Sequence, residues 1–431
     1  MSRWIGKGYQ NIWLPYTQMQ NAPEQLPVIG ASDVRIKLSD GRELIDGVSS
    51  WWSVAHGYNH PHIIHKMSEQ LQKLPHIMMA GLANEQTYKL AARLAKFSPD
   101  NLNKVVFADS GSTAVEVAMK IAVQFHLNKR SRREGFVFDD YPKKVKFLSF
   151  HGAYHGDSCG AMSISDIRGG MHSRMRDYVP SNYQLPLPKT QNDLDYIDKY
   201  LKEHARYIAA VFIEPLVQCA GGMKFYDASI LQSIYDLSRK HNLLFIVDEC
   251  ATGFYRTGRR FACDYSSVEP DIMIVGKALT GGMVSLAAAI TSDSIFEQFL
   301  GDTNDRALMH GLTFMGNPLA CSAANASLDL FEEQNYSKMV ENIERVMTRE
   351  LKKCRQIKIV KDVRILGAIG VVEIDLDNFE KIKKIREEFV SEGVWLRPIA
   401  NVVYVMPPLV IKEVDLIKIT KAVFTVLSKL N

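Results

Sequence analysis

The chain has 431 residues, of which 46% are hydrophobic and 23% charged, and a formal net charge of +4. That balance is ordinary for a folded globular protein, and a nucleic-acid binder would more often show clustered Lys and Arg; the one basic cluster, Asn128 to Glu134, reads as a solvated loop after a helix. No run approaches the roughly 20 apolar residues of a membrane span, no apolar leader follows Met1-Ser2-Arg3-Trp4, and the six cysteines form no C-x-x-C pair, so a cytoplasmic protein with reduced thiols is expected.

In chain order, residues 34–38 alternate as a strand, Ser39-Asp40-Gly41 turns, and a second strand reaches Asp46, which predicts a hairpin. Trp51-Trp52 follows, between Ser49-Ser50 and Ser53. Adjacent side chains of a strand face opposite ways, so one indole can pack in the core while the other lines a pocket; the alternative is that both are core. From about Pro61 helical and strand patterns alternate, with strands expected at 104–108, 145–150, 208–214, 243–248 and 271–275. This predicts an α/β architecture, a mostly parallel central sheet with helices on both faces. After about Ser327 amphipathic helices at 339–354 and 379–392 alternate with short strands at 368–374 and 402–406, which predicts a smaller α+β domain. The expected division is a large domain at 61–327 and a small one at 328–431, with residues 1–60 packing with the small domain.

Two functional groups fall at the carboxyl ends of apolar strands, where open α/β sheets bind ligands. Leu243-Leu244-Phe245-Ile246-Val247 leads to Asp248, and Ile272-Met273-Ile274-Val275-Gly276 leads to Lys277. An acid and a lysine so placed suit pyridoxal phosphate (PLP), whose Schiff base the lysine forms and whose pyridinium nitrogen the acid holds. Gly276, Gly281 and Gly282 suggest close backbone approach around Lys277, and a desolvated lysine is a nucleophile and a proton carrier.

Gly111-Ser112-Thr113 joins a strand to a helix with apolar residues at Ala114, Ala118, Ile121, Ala122 and Phe125. Free amides and hydroxyls there make an anion site; taken alone they make a simple N-cap. In His151-Gly152-Ala153-Tyr154-His155-Gly156-Asp157 the glycines argue against a helical pair of metal ligands, and no metal is expected. Tyr154 can stack on a flat ring or sit as a half-buried loop tyrosine. Glu214, at a strand end before Pro215, either hydrogen-bonds a cofactor or pairs with an arginine such as Arg256. Arg397, in Gly393-Val394-Trp395-Leu396-Arg397-Pro398, is the candidate for gripping a carboxylate.

These residues, with Leu14-Pro15-Tyr16-Thr17, His56-Gly57-Tyr58-Asn59-His60-Pro61 and His310-Gly311-Leu312-Thr313-Phe314-Met315-Gly316-Asn317-Pro318, resemble the class III aminotransferases over nearly the whole chain. The resemblance implies a fold type I PLP-dependent transferase. It implies Lys277, Asp248 and Tyr154 as catalytic residues, with Gly111, Ser112, Leu312 and Thr313 also at the cofactor. It implies Tyr16, Trp51, Tyr154, Lys277, Gly311 and Arg397 at the substrate. Thr313 would reach in from a second subunit, making a homodimer with shared active sites. The Trp-Trp and Pro-Tyr segments resemble the branch that uses S-adenosylmethionine and 8-amino-7-oxononanoate in biotin synthesis; the alternative is lysine as donor, or another ω-amino acid aminotransferase. The chain departs from the family at Leu312, where proline is frequent, and at Tyr255, where glycine is.

Overall fold

The structure, a computed structural model, describes residues 3–134, 143–376 and 379–430. It divides into two compact units, one of Pro61–Val340 and one that joins Met1–His60 to Glu341–Asn431.

The larger unit is built on a seven-stranded sheet in the order Lys104–Ala108, Ala287–Thr291, Ile272–Val275, Leu244–Asp248, Ile208–Ile213, Lys146–Phe150, Tyr183–Leu185. Only Ala287–Thr291 runs against its neighbours. Every residue of the strands Ile208–Ile213, Leu244–Asp248 and Ile272–Val275 is buried, which is why they read as unbroken apolar runs rather than alternating ones. Helix Gly111–Glu134 lies against the sheet, its Ala114, Val115, Ala118, Ile121 and Ala122 meeting Phe212, Ile246, Ile274 and Ala289. Small residues on that face let the helix axis approach closely.

The expected boundary after 327 falls inside the helix Pro318–Glu333. Its buried face, from Ala320 to Phe331, packs on helices Pro61–Lys73 and Glu85–Phe97, which draws it into the larger unit, and the division comes after Val340. The change of composition marks where charged helices begin, not where packing partners change.

In the smaller unit, Arg35–Leu38 pairs antiparallel with Glu43–Asp46 as the hairpin pattern predicts, and Val28–Ser32 adds on one side. On the other side Val394–Trp395 pairs parallel with Glu43–Asp46, so the two ends of the chain share one sheet. A second sheet holds Val360–Leu366, Ile369–Ile374 and Val402–Val405. Among the described residues no helix is long and apolar enough to cross a membrane.

Candidate active site

Strand register brings the acid and the lysine together. Asp248 pairs with Ile274 on the neighbouring parallel strand, and Lys277 follows three residues later, so both lie at the carboxyl edge of the sheet. Lys277 leaves its strand through an extended Gly276 and turns at once, with φ of 45°. The glycines around it differ in use: Gly281 and Gly282 take positive φ, while a Cβ on Gly276 would meet Cys250 Sγ at 3.4 Å, an ordinary contact.

Asp248 is buried, and His155 Nδ1 lies 2.8 Å from its Oδ2. Burial opposes the carboxylate charge, but the His155 hydrogen bond and charge, helped by Lys277, hold the Asp248 carboxyl below its ordinary value. Burial likewise opposes a charged His155, and Asp248 overcomes it, so the imidazole is held above its ordinary value. Both shifts have one cause, in that each partner favours the charged form of the other against burial. Glu214, at the end of the next strand, accepts from the N–H of Tyr154 at 2.9 Å and of Cys219 at 3.0 Å. Burial pushes its carboxyl up to about 7, against the pull of His155 and those two amides. The edge therefore holds one committed anion, Asp248, beside a carboxyl poised near neutrality.

His155 is a site residue that the sequence pattern does not single out, because the histidines of His151–Asp157 suggest only metal ligation. Its signal was position: it follows Tyr154 in the loop after one strand, two strands from Asp248. Among the described residues no group of three or more His, Cys, Asp or Glu could hold a metal ion.

At the start of helix Gly111–Glu134 the first amides have no earlier turn to bond to, which is what an anion site needs. Ser110 caps it, its Oγ accepting from Thr113 N–H at 3.3 Å. Ser112 Oγ accepts from Asp157 N–H at 3.1 Å, which leaves its own hydrogen to donate. Gly156 makes this approach possible: with φ of 128°, a Cβ there would fall 2.1 Å from Ser112 Oγ. A Cβ on Gly111 would meet Cys250 Sγ at 3.1 Å. Ser112 is thus tied through Asp157 to the loop that carries Tyr154, and Gly111 lies close to Cys250, two residues after Asp248. Tyr154 is half-buried, its hydroxyl donating to Asp157 at 3.0 Å and its ring lying 6.0 Å from that of His172 at 23°.

Gly311 and Thr313 are exposed and a Cβ on Gly311 would meet open space, while Leu312 is half-buried against the core. Tyr255 has φ of 66°, the conformation a glycine adopts without strain, and its ring packs among Phe331, Tyr336 and Phe97 at 5.8, 6.0 and 6.5 Å.

Tyr16, Trp51 and Arg397 come together in the smaller unit. The Arg397 guanidinium lies over the Trp51 ring at 4.4 Å, and the Tyr16 ring meets the same indole edge-on at 5.9 Å. Burial, then the charge of Arg386, lowers the pKa of Arg397 from its ordinary value. The strand expected at Trp51-Trp52 is absent. Ser49–Trp52 is a short helical turn in which Ser49, Ser50, Trp51 and Trp52 have φ of 50°, 45°, 56° and 74°. Left-handed backbone costs about 1–2 kcal/mol per L-residue, so this turn is held from outside. Its outcome still separates the indoles: Trp52 is buried, and Trp51 is 37% exposed.

A class-III aminotransferase profile matches residues 17–427. An adenosylmethionine-8-amino-7-oxononanoate aminotransferase of Buchnera aphidicola subsp. Schizaphis graminum is 38% identical over 94% of this chain and 92% of its own. The enzyme of the same name from Mycobacterium leprae is 38% identical over 96% and 94%. Among solved structures, the adenosylmethionine-8-amino-7-oxononanoate aminotransferase of Methanocaldococcus jannaschii superposes with a TM-score of 0.91 at 30% identity, over 98% of both chains. A PLP-bound amine transaminase from an uncultivated Pseudomonas species gives 0.89 at 26%, over 98% of this chain and 99% of that one.

Proposed function

Since this chain belongs to the class-III aminotransferase family, we propose that it moves the amino group of S-adenosylmethionine to the 7-oxo group of 8-amino-7-oxononanoate, yielding 7,8-diaminononanoate for biotin synthesis. The observation that carries the chemistry is the 2.8 Å contact of His155 with the buried Asp248 carboxylate at the same sheet edge as Lys277. The choice of substrates rests on the relatives' names.

The residues fit PLP. A buried carboxylate held charged suits a ring nitrogen that must stay protonated, and a helix start with a free hydroxyl hydrogen suits a phosphate. Bound PLP supplies an electron sink at the substrate carbon. Asp248 would hold the ring nitrogen, with His155 fixing the carboxylate; Gly111 and Ser112 would hold the phosphate; Tyr154 would lie against the ring. Lys277 Nζ would take the proton from the donor's α carbon and return one to C7 of the acceptor. Leu312, through its N–H, and Thr313 would complete the phosphate site of a second subunit, in a cytoplasmic homodimer; the exposure of Gly311 and Thr313 on the single chain supports that role.

Arg397 would grip the substrate carboxylate, and Tyr16 and Trp51 would wall the chain beside it, with Gly311 leaving room. Flat aromatic walls tolerate two dissimilar substrates while one arginine fixes an end. The test adds S-adenosylmethionine or lysine separately to PLP-loaded protein, then the acceptor, following the visible band of the bound cofactor and the product by mass. Bleaching by S-adenosylmethionine, reversed by 8-amino-7-oxononanoate with diaminononanoate formed, is expected. Bleaching by lysine alone would overturn the donor, and no response to either would overturn the reaction.

A further inference from the structure

The left-handed turn Ser49–Trp52 is left unexplained by the chemistry of the site, and its supports are unusual. Trp52 N–H donates to Val48 O and Ser53 N–H to Ser49 O, each at 2.9 Å, so the turn is closed by its own backbone. Around it stands a clamp of side chains. The Asp46 carboxylate is 0% exposed. Its Oδ1 accepts from Val48 N–H at 2.8 Å, and its Oδ2 from Ser50 N–H at 3.0 Å and from the Tyr58 hydroxyl at 2.6 Å. The Tyr58 oxygen is also 2.6 Å from Ser50 Oγ. Ser49 Oγ donates to Met406 O at 2.6 Å. A carboxylate taken wholly out of water is a costly way to hold a loop, and strained backbone held so firmly points to a function.

The consequence of the turn is the placing of two indoles. Trp52 goes into the core, edge-on to Tyr404 at 6.2 Å. Trp51 faces outward with the Arg397 guanidinium over its ring. A right-handed turn would project both side chains in other directions. Arg397 has a long, mobile side chain, and a stacking surface removes much of that freedom. Among the described residues no hydrogen bond or ion pair holds the Arg397 head, so the Trp51 face is the contact that orients it.

We propose that Asp46 and Tyr58 are positioning residues for substrate: they lock Ser49–Trp52 in its left-handed turn and thereby fix the Trp51 face that aims Arg397 at a carboxylate. This rests on the reading of Trp51 and Arg397 as substrate-binding. Neither Asp46 nor Tyr58 touches substrate in this account; both act through the turn.

The experiment compares Tyr58→Phe and Asp46→Asn with wild type in the PLP-loaded full chain, by steady-state kinetics and by amide hydrogen exchange at Trp52 and Ser53. Exchange there is expected to quicken at least about tenfold, and KM for 8-amino-7-oxononanoate to rise about tenfold while kcat stays within about twofold. Ser50→Gly added to Tyr58→Phe is expected to restore much of the KM, because glycine takes positive φ freely; a turn that needed no clamp would gain nothing from it. Unchanged exchange in Tyr58→Phe overturns the clamp. Quickened exchange with unchanged KM, or a fall confined to kcat, overturns its role toward substrate. Should Asp46→Asn fail to fold, Tyr58→Phe, which removes one hydroxyl, decides. Should wild type fail to turn over 8-amino-7-oxononanoate, the proposed reaction falls, and exchange together with quenching of Trp51 fluorescence by added carboxylates judges the inference separately.

Discussion

The two groups of site residues are held by opposite means. In the larger unit Asp248 ends one buried parallel strand and Lys277 follows the next by two residues, with the His155 imidazole 2.8 Å from the Asp248 carboxylate. In the smaller unit Tyr16 and Trp51 both sit on backbone with positive φ, at 49° and 56°, around an arginine that stacks on a ring. A dry, rigid sheet edge suits Asp248, whose charge must be fixed, because it sets the field once; Lys277 lies just past its strand, with φ of 45°. Irregular backbone suits recognition, because it can present flat side chains at angles no strand or right-handed helix allows.

On this contrast, damage to the first group is expected to strike rate and charge, and damage to the second affinity. Lys277→Ala is the largest expected effect: at least about 10⁴-fold lower kcat, from losing both nucleophile and proton carrier, with an unchanged circular dichroism spectrum. Next, His155→Phe leaves the Asp248 charge buried and unpaired, and chemical denaturation should show a loss of about 3–5 kcal/mol. The pH dependence follows from the two shifts. Asp248, held low, contributes stability above its ordinary 3.8 that is lost as pH falls through its folded value. His155, held high, contributes below its ordinary 6.5 and loses it as pH rises through its folded value. The stability gap between wild type and His155→Phe should therefore be widest between pH 3.8 and 6.5 and narrow on both sides; a gap that grows steadily toward alkaline pH would show that the histidine is buried neutral.

Arg397→Ala sharpens the other side. Losing a charged hydrogen-bonding pair should cost about 1.5–3 kcal/mol, some 10- to 150-fold in KM for the carboxylate substrate, with kcat nearly unchanged. A loss of kcat instead would break the comparison. The smallest effect is expected for Tyr255→Gly, where relief of about 1 kcal/mol of backbone strain is outweighed by the lost ring contacts, lowering stability by about 1–2 kcal/mol in thermal melts. A rise in melting temperature would show that the ring contacts add nothing.

The same contrast explains what could be read in advance. The strands leading to Asp248 and Lys277 announce themselves as apolar runs ending in a functional group, although only the short 3-10 turn Ala262–Tyr265 lies between them. The positive φ of Ser49 to Trp52 leaves no such mark. None of the four is glycine, and the turn depends on Asp46, Tyr58 and Met406, the last of these 357 residues from Ser49. A local pattern cannot report a conformation that is imposed from so far along the chain. His155 was hidden for a related reason, since its partner Asp248 lies 93 residues away. Gly156 was visible as a glycine, but its need became plain only when Ser112 appeared where its Cβ would have been.

The parallel pairing of Glu43–Asp46 with Val394–Trp395 also orders events in time. A chain emerging from the ribosome makes Asp46 348 residues before Val394 (394 − 46), and at about 5–20 residues per second that is a delay on the order of 20–70 s. The larger unit, which is continuous from Pro61 to Val340, has all its strands long before then. The N-terminal hairpin, with the tryptophan turn attached, must wait exposed for its partner strand. A newborn chain thus has the strands of its larger sheet before the N-terminal hairpin can meet its partner strand.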